Sequence, residues 1–286
     1  MAEARTASIV IPTYDRADLV ERSLASVARS DVAVEDLEVI VVDDGSSDDT
    51  FATVRPFGGA LNLKYVFQPD RGHRAARARN LGISLAENDV VIFIDSGIAV
   101  PSWHVSAHLA AHGSATNSTV IGNILGFDYN DDNTEMLTAE LVGRTIDEVV
   151  DSWEGREELA DPRWPAWNQC GGDLMGLPAP WALGWSANLS VHRSLLDQGI
   201  RFDENYRSWG GEDQDFSLAL YQAGSRFTLS RAATVVHIPH PKSESSNDDS
   251  AVRNKTYLHQ KYRLPETELL IGMRAVQLNQ VLAEQR

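Results

Sequence analysis

LEVIVVDDGSSDDT, residues 37–50, changes character at its middle. Val39, Ile40, Val41 and Val42 form an unbroken β-branched run, which then stops at two carboxylates, Asp43 and Asp44, followed by Gly45 and a polar stretch. An apolar run without alternation marks a strand buried on both faces, as in a parallel sheet covered by helices on each side. Similar runs flank it: SIVIP (8–12), LKYVFQ (63–68) and DVVIFID (89–95). Segments 16–29, 47–55 and 73–86 between them carry helical spacing. This rhythm predicts right-handed βαβ crossovers and an α/β fold with a largely parallel sheet. Ligands of such sheets bind beyond the carboxyl ends of the strands. Those ends are PTYDR, DDGSSDDT and DSG, three polar clusters expected to converge on one crevice.

At 286 residues with 43% hydrophobic content, the chain is long enough for one large domain or two small ones. Its longest apolar runs, such as VVIFI at 90–94, fall far short of a membrane span, and no charged-then-apolar leader opens the chain. A single cysteine, Cys170, forms no internal disulfide and agrees with a reducing compartment. A soluble, cytoplasmic protein without an integral membrane segment is therefore expected. A net charge of −16 disfavours nucleic acid as a partner. One phosphate-bearing ligand needs only a local positive pocket, which the group Arg71, Arg74, Arg77 and Arg79 can supply.

Residues 101–113 read as a helix with His104, His108 and His112 at steps of four. The spacing permits a two-histidine metal site, but the glutamate of a zincin is missing, and a partly solvated helix face is the expectation. From 126 to 183 periodicity fades in a segment rich in acids, tryptophan and proline, which reads as an irregular lid or binding loop. Its tryptophans, Trp153, Trp164, Trp167 and Trp181, with Trp185 just beyond, are expected mostly to anchor the loop. Order returns with LGWSANLSVHRSLL (183–196), a helix opening at WGGEDQDF and a strand pair at 225–237. After a polar break at 243–250, the remainder reads as a helical tail.

SIVIPTYDR, VIVVDDGSSDDT, GHRAARARNLGI, FIDSGIAVP and GWSANLSVHRSLL followed by WGGEDQDF together resemble a glycosyltransferase of the GT-A fold, similar to family 2. The second half, from WSANLSVHR through WGGEDQDF to VVHIPHP, resembles the galactosyl- and N-acetylgalactosaminyltransferase type of C-terminal segment. The resemblance implies a Rossmann-like, mixed but mostly parallel sheet flanked by helices. It divides residues 1–242 into a nucleotide-binding half (1–125), an acceptor-side insertion (126–183) and an acceptor and catalytic half (184–242), with a helical tail at 243–286. The implied activity moves a sugar from a nucleotide sugar, by default a UDP-sugar, to a hydroxyl or other nucleophile of a soluble acceptor: a small molecule, a peptide or a short glycan. Inversion is the expected course, with retention as a variant. A noncatalytic sugar-nucleotide or glycan-binding module is the alternative.

Candidate roles follow. Asp43, with Asp44, ends a strand where a carboxylate can accept from a base N–H or a ribose hydroxyl. Pro12 and Tyr14 sit on the neighbouring loop, where an aromatic ring can pack on the base. Arg71, Arg74 and Arg77 surround a helix start, whose free N–H groups favour an anion. Glycines in the stretch Trp209 to Asp215 let the backbone approach a ligand, and acids there open a helix. Sugar transfer needs a base for the acceptor's proton. Asp213 is assigned that role, Glu212 fixes hydroxyls, and Trp185, Trp209 and Gly211 line the sugar site. The family usually ends its fourth strand in Asp-x-Asp or Asp-x-His to hold Mn²⁺ or Mg²⁺. Here Asp95 and Ser96 are followed by Gly97, whose carbonyl is a weak ligand. His237, or alternatively His240, then completes a weak metal site with Asp95, or arginines replace the ion, or the site is dead.

Overall fold

The computed structural model describes residues 6–127, 134–170, 173–240 and 244–285. The first half runs β1 (Ala7–Thr13), α1 (Ala17–Val27), β2 (Leu37–Asp43), α2 (Thr50–Val54), β3 (Asn62–Phe67), α3 (Ala75–Leu85) and β4 (Val90–Ile94). Then come β5 (Ile98–Ala99), α4 (His104–His112), β6 (Ser118–Leu125), α5 (Thr134–Leu141), α6 (Ile146–Trp153) and α7 (Trp164–Gln169). The chain continues through β7 (Asn188–His192), α8 (Arg193–Leu196), α9 (Glu212–Gln222), β8 (Arg226–His237), α10 (Glu244–Tyr262), α11 (Pro265–Ile271) and α12 (Ala275–Glu284).

Among the described residues the strands form one sheet in the order β3-β2-β1-β4-β7-β6-β8-β5. Strands β3, β2, β1 and β4 run parallel, as the βαβ rhythm predicts, while β7 lies antiparallel between β4 and β6. The unbroken apolar runs are explained by burial on both faces. Ile9, Ile11, Val39, Val41, Ile92 and Ile94 join one core with Val20, Leu24 and Val27 of α1. The alternate residues Val10, Ile40, Val42, Val91 and Phe93 join the other, against α3, α9 and the C-terminal helices. Gly82 permits close seating of α3, because a Cβ there would stand 2.3 Å from Val10 Cγ1.

Three expectations need correction. Residues 225–237 are one strand, β8, and not a pair; its register against β6 slips between Gly122 and Ile124. The polar SRAAT stretch at 230–234 is the bulge that reads as a turn in the sequence. The insertion is not an irregular loop, for it carries α5, α6 and α7; they are short, which is why periodicity fades, and α6 opens with a capping box from Thr145 and Glu148. Trp153, Trp167 and Trp181 are buried anchors, as expected.

The third correction concerns the histidine face of α4, which is buried and not solvated. Asn188 and Ser190 on β7 and Ser118 on β6 turn polar groups toward it. Asn188 Oδ1 lies 3.0 Å from His104 Nε2 and 2.9 Å from His108 Nε2. Ser190 Oγ lies 2.8 Å from both His108 Nδ1 and His112 Nε2. Burial pushes His104 down to about 4 and His108 well below its ordinary value, so both rings are neutral. Strand β6 was not foreseen; it provides the far wall of this polar seam.

Candidate active site

The polar strand ends converge, but many of their carboxylates are occupied by the chain itself. Asp15, at φ 46°, accepts from the N–H of Ser47 at 2.7 Å and ties the loop after β1 to the loop after β2. Asp48 accepts from the N–H of Ala17 at 3.0 Å and from Thr50 at 3.1 Å, so one side chain supports the starts of both α1 and α2. Asp43 Oδ1 accepts from the N–H groups of Gly45 and Ser46 at 3.0 and 2.7 Å, and its Oδ2 accepts from the Tyr65 hydroxyl. Asp44 accepts from Gln68 Nε2 at 2.6 Å and from the N–H of Arg74 at 2.8 Å. These two buried acids hold the loop after β2 and the start of α3 in place.

The arginines separate. Arg71 is exposed; Arg77 is exposed and turned to Gln68 Oε1 at 3.1 Å and Glu204 at 3.7 Å. Arg74 is buried with its guanidinium 3.4 Å from Asp44. Pro12 is buried in β1 opposite Val42, and the exposed Tyr14 hydroxyl reaches Asp70 at 3.3 Å. Next to Pro12, Thr13 Oγ1 is buried without a partner among the described residues.

The end of β4 and the start of α9 meet at Arg79, 4% exposed. Its Nη2 donates to Asp95 Oδ1 at 2.8 Å, while Nη1 lies 3.6 Å from Glu212 Oε1 and 3.9 Å from Asp213 Oδ1. Sequence reasoning grouped Arg79 with its neighbours and placed the ligand contacts on Arg71, Arg74 and Arg77. Helical phase carries the missing signal: Ala76, Arg79, Gly82 and Ile83 form the buried stripe of α3. The apposition of β4 and α9 is held by an aromatic bed. Phe216 stacks on Phe202 at 3.9 Å, and both meet Phe93 edge-on at 5.8 and 5.4 Å. Phe93 lies two residues before Asp95 and Phe216 three after Asp213, so the stack sets the distance between the two carboxylates. Arg79 itself lies 5.4 Å from the Phe202 ring.

Asp213 Oδ1 accepts from Ser186 Oγ at 2.6 Å, a second residue that sequence reasoning did not single out. Burial pushes Asp213 up to about 7; Arg79 opposes the rise, and the neighbouring charges of Glu212 and Asp95 add to it. Burial likewise raises Glu212, again against Arg79. Arg79 is held firmly protonated, because three carboxylates outweigh its desolvation. Glu212 Oε2 and Arg79 Nη1 and Nε are buried with no hydrogen-bond partner among the described residues. Unsatisfied polar atoms at one point suit a polar ligand that completes them.

The donor set fits a divalent ion brought in by a diphosphate better than a preformed site. Asp95 shares one oxygen with Arg79, and the Gly97 carbonyl accepts from the N–H of Ile238 at 2.8 Å. His237 pairs with Ile98 across β5 and β8, and its ring lies 5.0 Å from that of His240. Among the described residues no three His, Cys, Asp or Glu side chains converge as metal ligands. Mg²⁺-type sites do form on one or two carboxylates plus substrate phosphates. Ser96 is half-buried beside Asp95. Trp185 packs 4.6 Å above the Arg163 guanidinium and beside Phe127, Trp209 is exposed, and Gly211 caps α9 at φ 95°.

A mixed sheet with parallel strand ends facing acids on a later helix is the GT-A glycosyltransferase architecture. Two solved structures share it at low identity: Staphylococcus aureus TarS 1–349 in complex with UDP-GlcNAc (TM-score 0.64, 20% identity, 98% of this chain and 71% of that one), and the mannosyltransferase PcManGT from Pyrobaculum calidifontis in complex with GDP-Man and Mn²⁺ (TM-score 0.61, 16% identity, 99% and 75%). Residues 8–165 match the family described as Glycosyl transferase family 2, and the chain belongs to that family. It is 36% identical over 250 residues to validoxylamine A glucosyltransferase of Streptomyces hygroscopicus subsp. jinggangensis (strain 5008), covering 86% of this chain and 58% of that relative. The chain thus spans little more than half the length of this relative. Among the described residues no helix is long and apolar enough to cross a membrane.

Proposed function

We propose that the chain transfers a hexosyl group from a nucleotide sugar to a soluble acceptor in the cytoplasm, with inversion, and that Asp213 is the general base. The observation that carries this reading is the Asp213 carboxylate. It stands at the opening of α9 with its side chain 21% exposed, held by Ser186 and 3.9 Å from a buried guanidinium that also binds Asp95. A carboxylate raised toward neutrality, yet open to the crevice, can accept a proton from an attacking hydroxyl.

In this reading the acceptor oxygen bonds to the anomeric carbon while its proton passes to Asp213. The bond from that carbon to the diphosphate breaks on the opposite face, and the electron pair leaves with the phosphate oxygen. Glu212 Oε2 and Arg79 Nη1, the unsatisfied pair, bind sugar or acceptor hydroxyls. Asp95, with His237 or His240 as an imidazole neighbour, would hold Mn²⁺ or Mg²⁺ against the diphosphate, where the ion neutralises the leaving charge. UDP as the nucleotide is supported by the UDP-GlcNAc in the TarS structure, and the galactosyl- and N-acetylgalactosaminyltransferase-like ending by the WGGED residues.

Hydrolysis and binding across UDP-glucose, UDP-N-acetylglucosamine, GDP-mannose and dTDP-glucose, with Mn²⁺ present, test the reading. One donor should turn over slowly with water as acceptor. Binding without any turnover would favour a noncatalytic module, and no binding would remove the reading altogether.

A further inference from the structure

The two glycines of the Trp209-Gly210-Gly211 stretch face the chain's own C-terminal helix. Both have positive φ, 91° and 95°. A Cβ on Gly210 would stand 3.4 Å from Ala251 Cβ, and one on Gly211 would stand 3.1 Å from Asn254 Cβ and 3.0 Å from Tyr206 Cε1. Helix α10 therefore lies directly on the backbone that leads into the acids.

Asn254, 9% exposed, occupies the centre of this contact. Its Nδ2 donates toward three consecutive carbonyls, those of Ser208 at 3.0 Å, Trp209 at 3.2 Å and Gly210 at 2.6 Å. Ser250 Oγ, one turn earlier, donates to the Trp209 carbonyl at 2.9 Å. Two turns later on the same helix face, Lys261 Nζ lies 2.8 Å from both oxygens of Asp215. Asp215 is 1% exposed and also accepts from Tyr206 at 3.1 Å and Tyr262 at 3.3 Å. Helix α10 thus grips the chain on both sides of Glu212 and Asp213: at 208–210 before them and at 215 after them. Neither grip touches the strand ends that would hold the nucleotide.

We propose that Asn254 is a positioning residue for the transfer reaction: its amide, bound to the carbonyls of Ser208, Trp209 and Gly210, fixes the Asp213 carboxylate against the acceptor oxygen. Helix α10 is on this account part of the catalytic machinery. The proposal rests on the reading of Asp213 as the base.

The test uses Asn254→Ala, which keeps the Cβ packed on Gly211, and the isosteric Asn254→Asp, which removes the donors without creating a cavity. Val252→Ala, on the exposed side of the same helix, is the control. With the donor that wild type turns over from the four-sugar panel, kcat should fall about 100-fold in both variants, the effect of misplacing a reacting group by about 1 Å, while donor KM changes little. Hydrogen–deuterium exchange at 209–215 should rise in both, with the melting transition retained. Unchanged kcat in a folded variant overturns the proposal, and so does a rise in donor KM at constant kcat. Should wild type turn over none of the four sugars, the reading of the reaction fails by itself. Exchange at 209–215 then decides the clamp alone, and unchanged protection overturns it.

Discussion

Arg79→Gln should move the acid limb of the pH–rate profile to higher pH. In wild type the Nη1 atom lies 3.9 Å from Asp213 Oδ1 and 3.6 Å from Glu212 Oε1. At an effective dielectric of about 20, a unit charge at that distance favours the ionised carboxylate by about 4 kcal/mol. At 1.36 kcal/mol per unit this is an upper limit of about three pKa units. Partial exposure of Asp213 and redistribution of protons among Asp95, Glu212 and Asp213 reduce it, so a shift of about one to two units is expected. The sign follows from charge: removing a cation disfavours the carboxylate, so Asp213 climbs from about 7 and the base is protonated at neutral pH. Donor turnover measured from pH 5 to 10 should show wild type levelling off above pH 7 and Arg79→Gln still rising at pH 8. Arg79→Lys, which keeps the charge, should lie between them. An acid limb that stays in place, or moves to lower pH, would refute the coupling of Arg79 to Asp213.

The same burial makes the base costly to the fold. Its pKa is raised on folding, so the cost begins as pH rises past the unfolded value near 4 and is complete above about 7; Asp213→Asn should therefore be stabilised by at most about 4 kcal/mol at pH 8 and unchanged at pH 4. Thermal melts at the two pH values check this, and equal shifts at both would contradict it. Gly97→Asp restores a second acid at a position where the atoms nearest an added Cβ belong to Leu19, at 3.4 to 3.7 Å, although φ is 95°. It should raise Mn²⁺ affinity at least tenfold in the presence of nucleotide and cost about 1 kcal/mol of stability from the backbone conformation. Calorimetric titration measures the first, and tight Mn²⁺ binding by wild type without nucleotide would contradict the assignment of the ion to the diphosphate.

The parallel half of the sheet was legible because Ile9 to Ile11, Val39 to Val42 and Val90 to Ile94 are apolar at every position, a pattern that two-sided burial imposes. The β6 and β8 strands were harder to read because their partner surface is polar: Asn188, Ser190 and Ser118 bond to three buried histidines, and the β8 bulge breaks its alternation. Asp213, Glu212 and Asp95 stand out in the sequence by their places at a helix start and a strand end, and the fold gathers all three around Arg79. The role of Arg79 depends on which side of α3 packs inward, and that of Ser186 on the approach of a loop 27 residues away in sequence. Asn254 carries no local pattern at all. It lies 44 residues beyond Gly210, and only the folded chain places its amide under that carbonyl.

The central claim, that Asp213 takes the proton from the attacking oxygen, is tested most directly by turnover and nucleotide binding in Asp213→Asn. With the donor that wild type hydrolyses, kcat should fall about 10²- to 10⁴-fold, the usual contribution of a general base. UDP affinity, measured by calorimetry, should stay within about threefold, because Asp213 is on α9, while Asp43 and Asp44, assigned to the nucleoside, stand at the end of β2. Turnover at the wild-type rate in a folded Asp213→Asn protein would contradict the account.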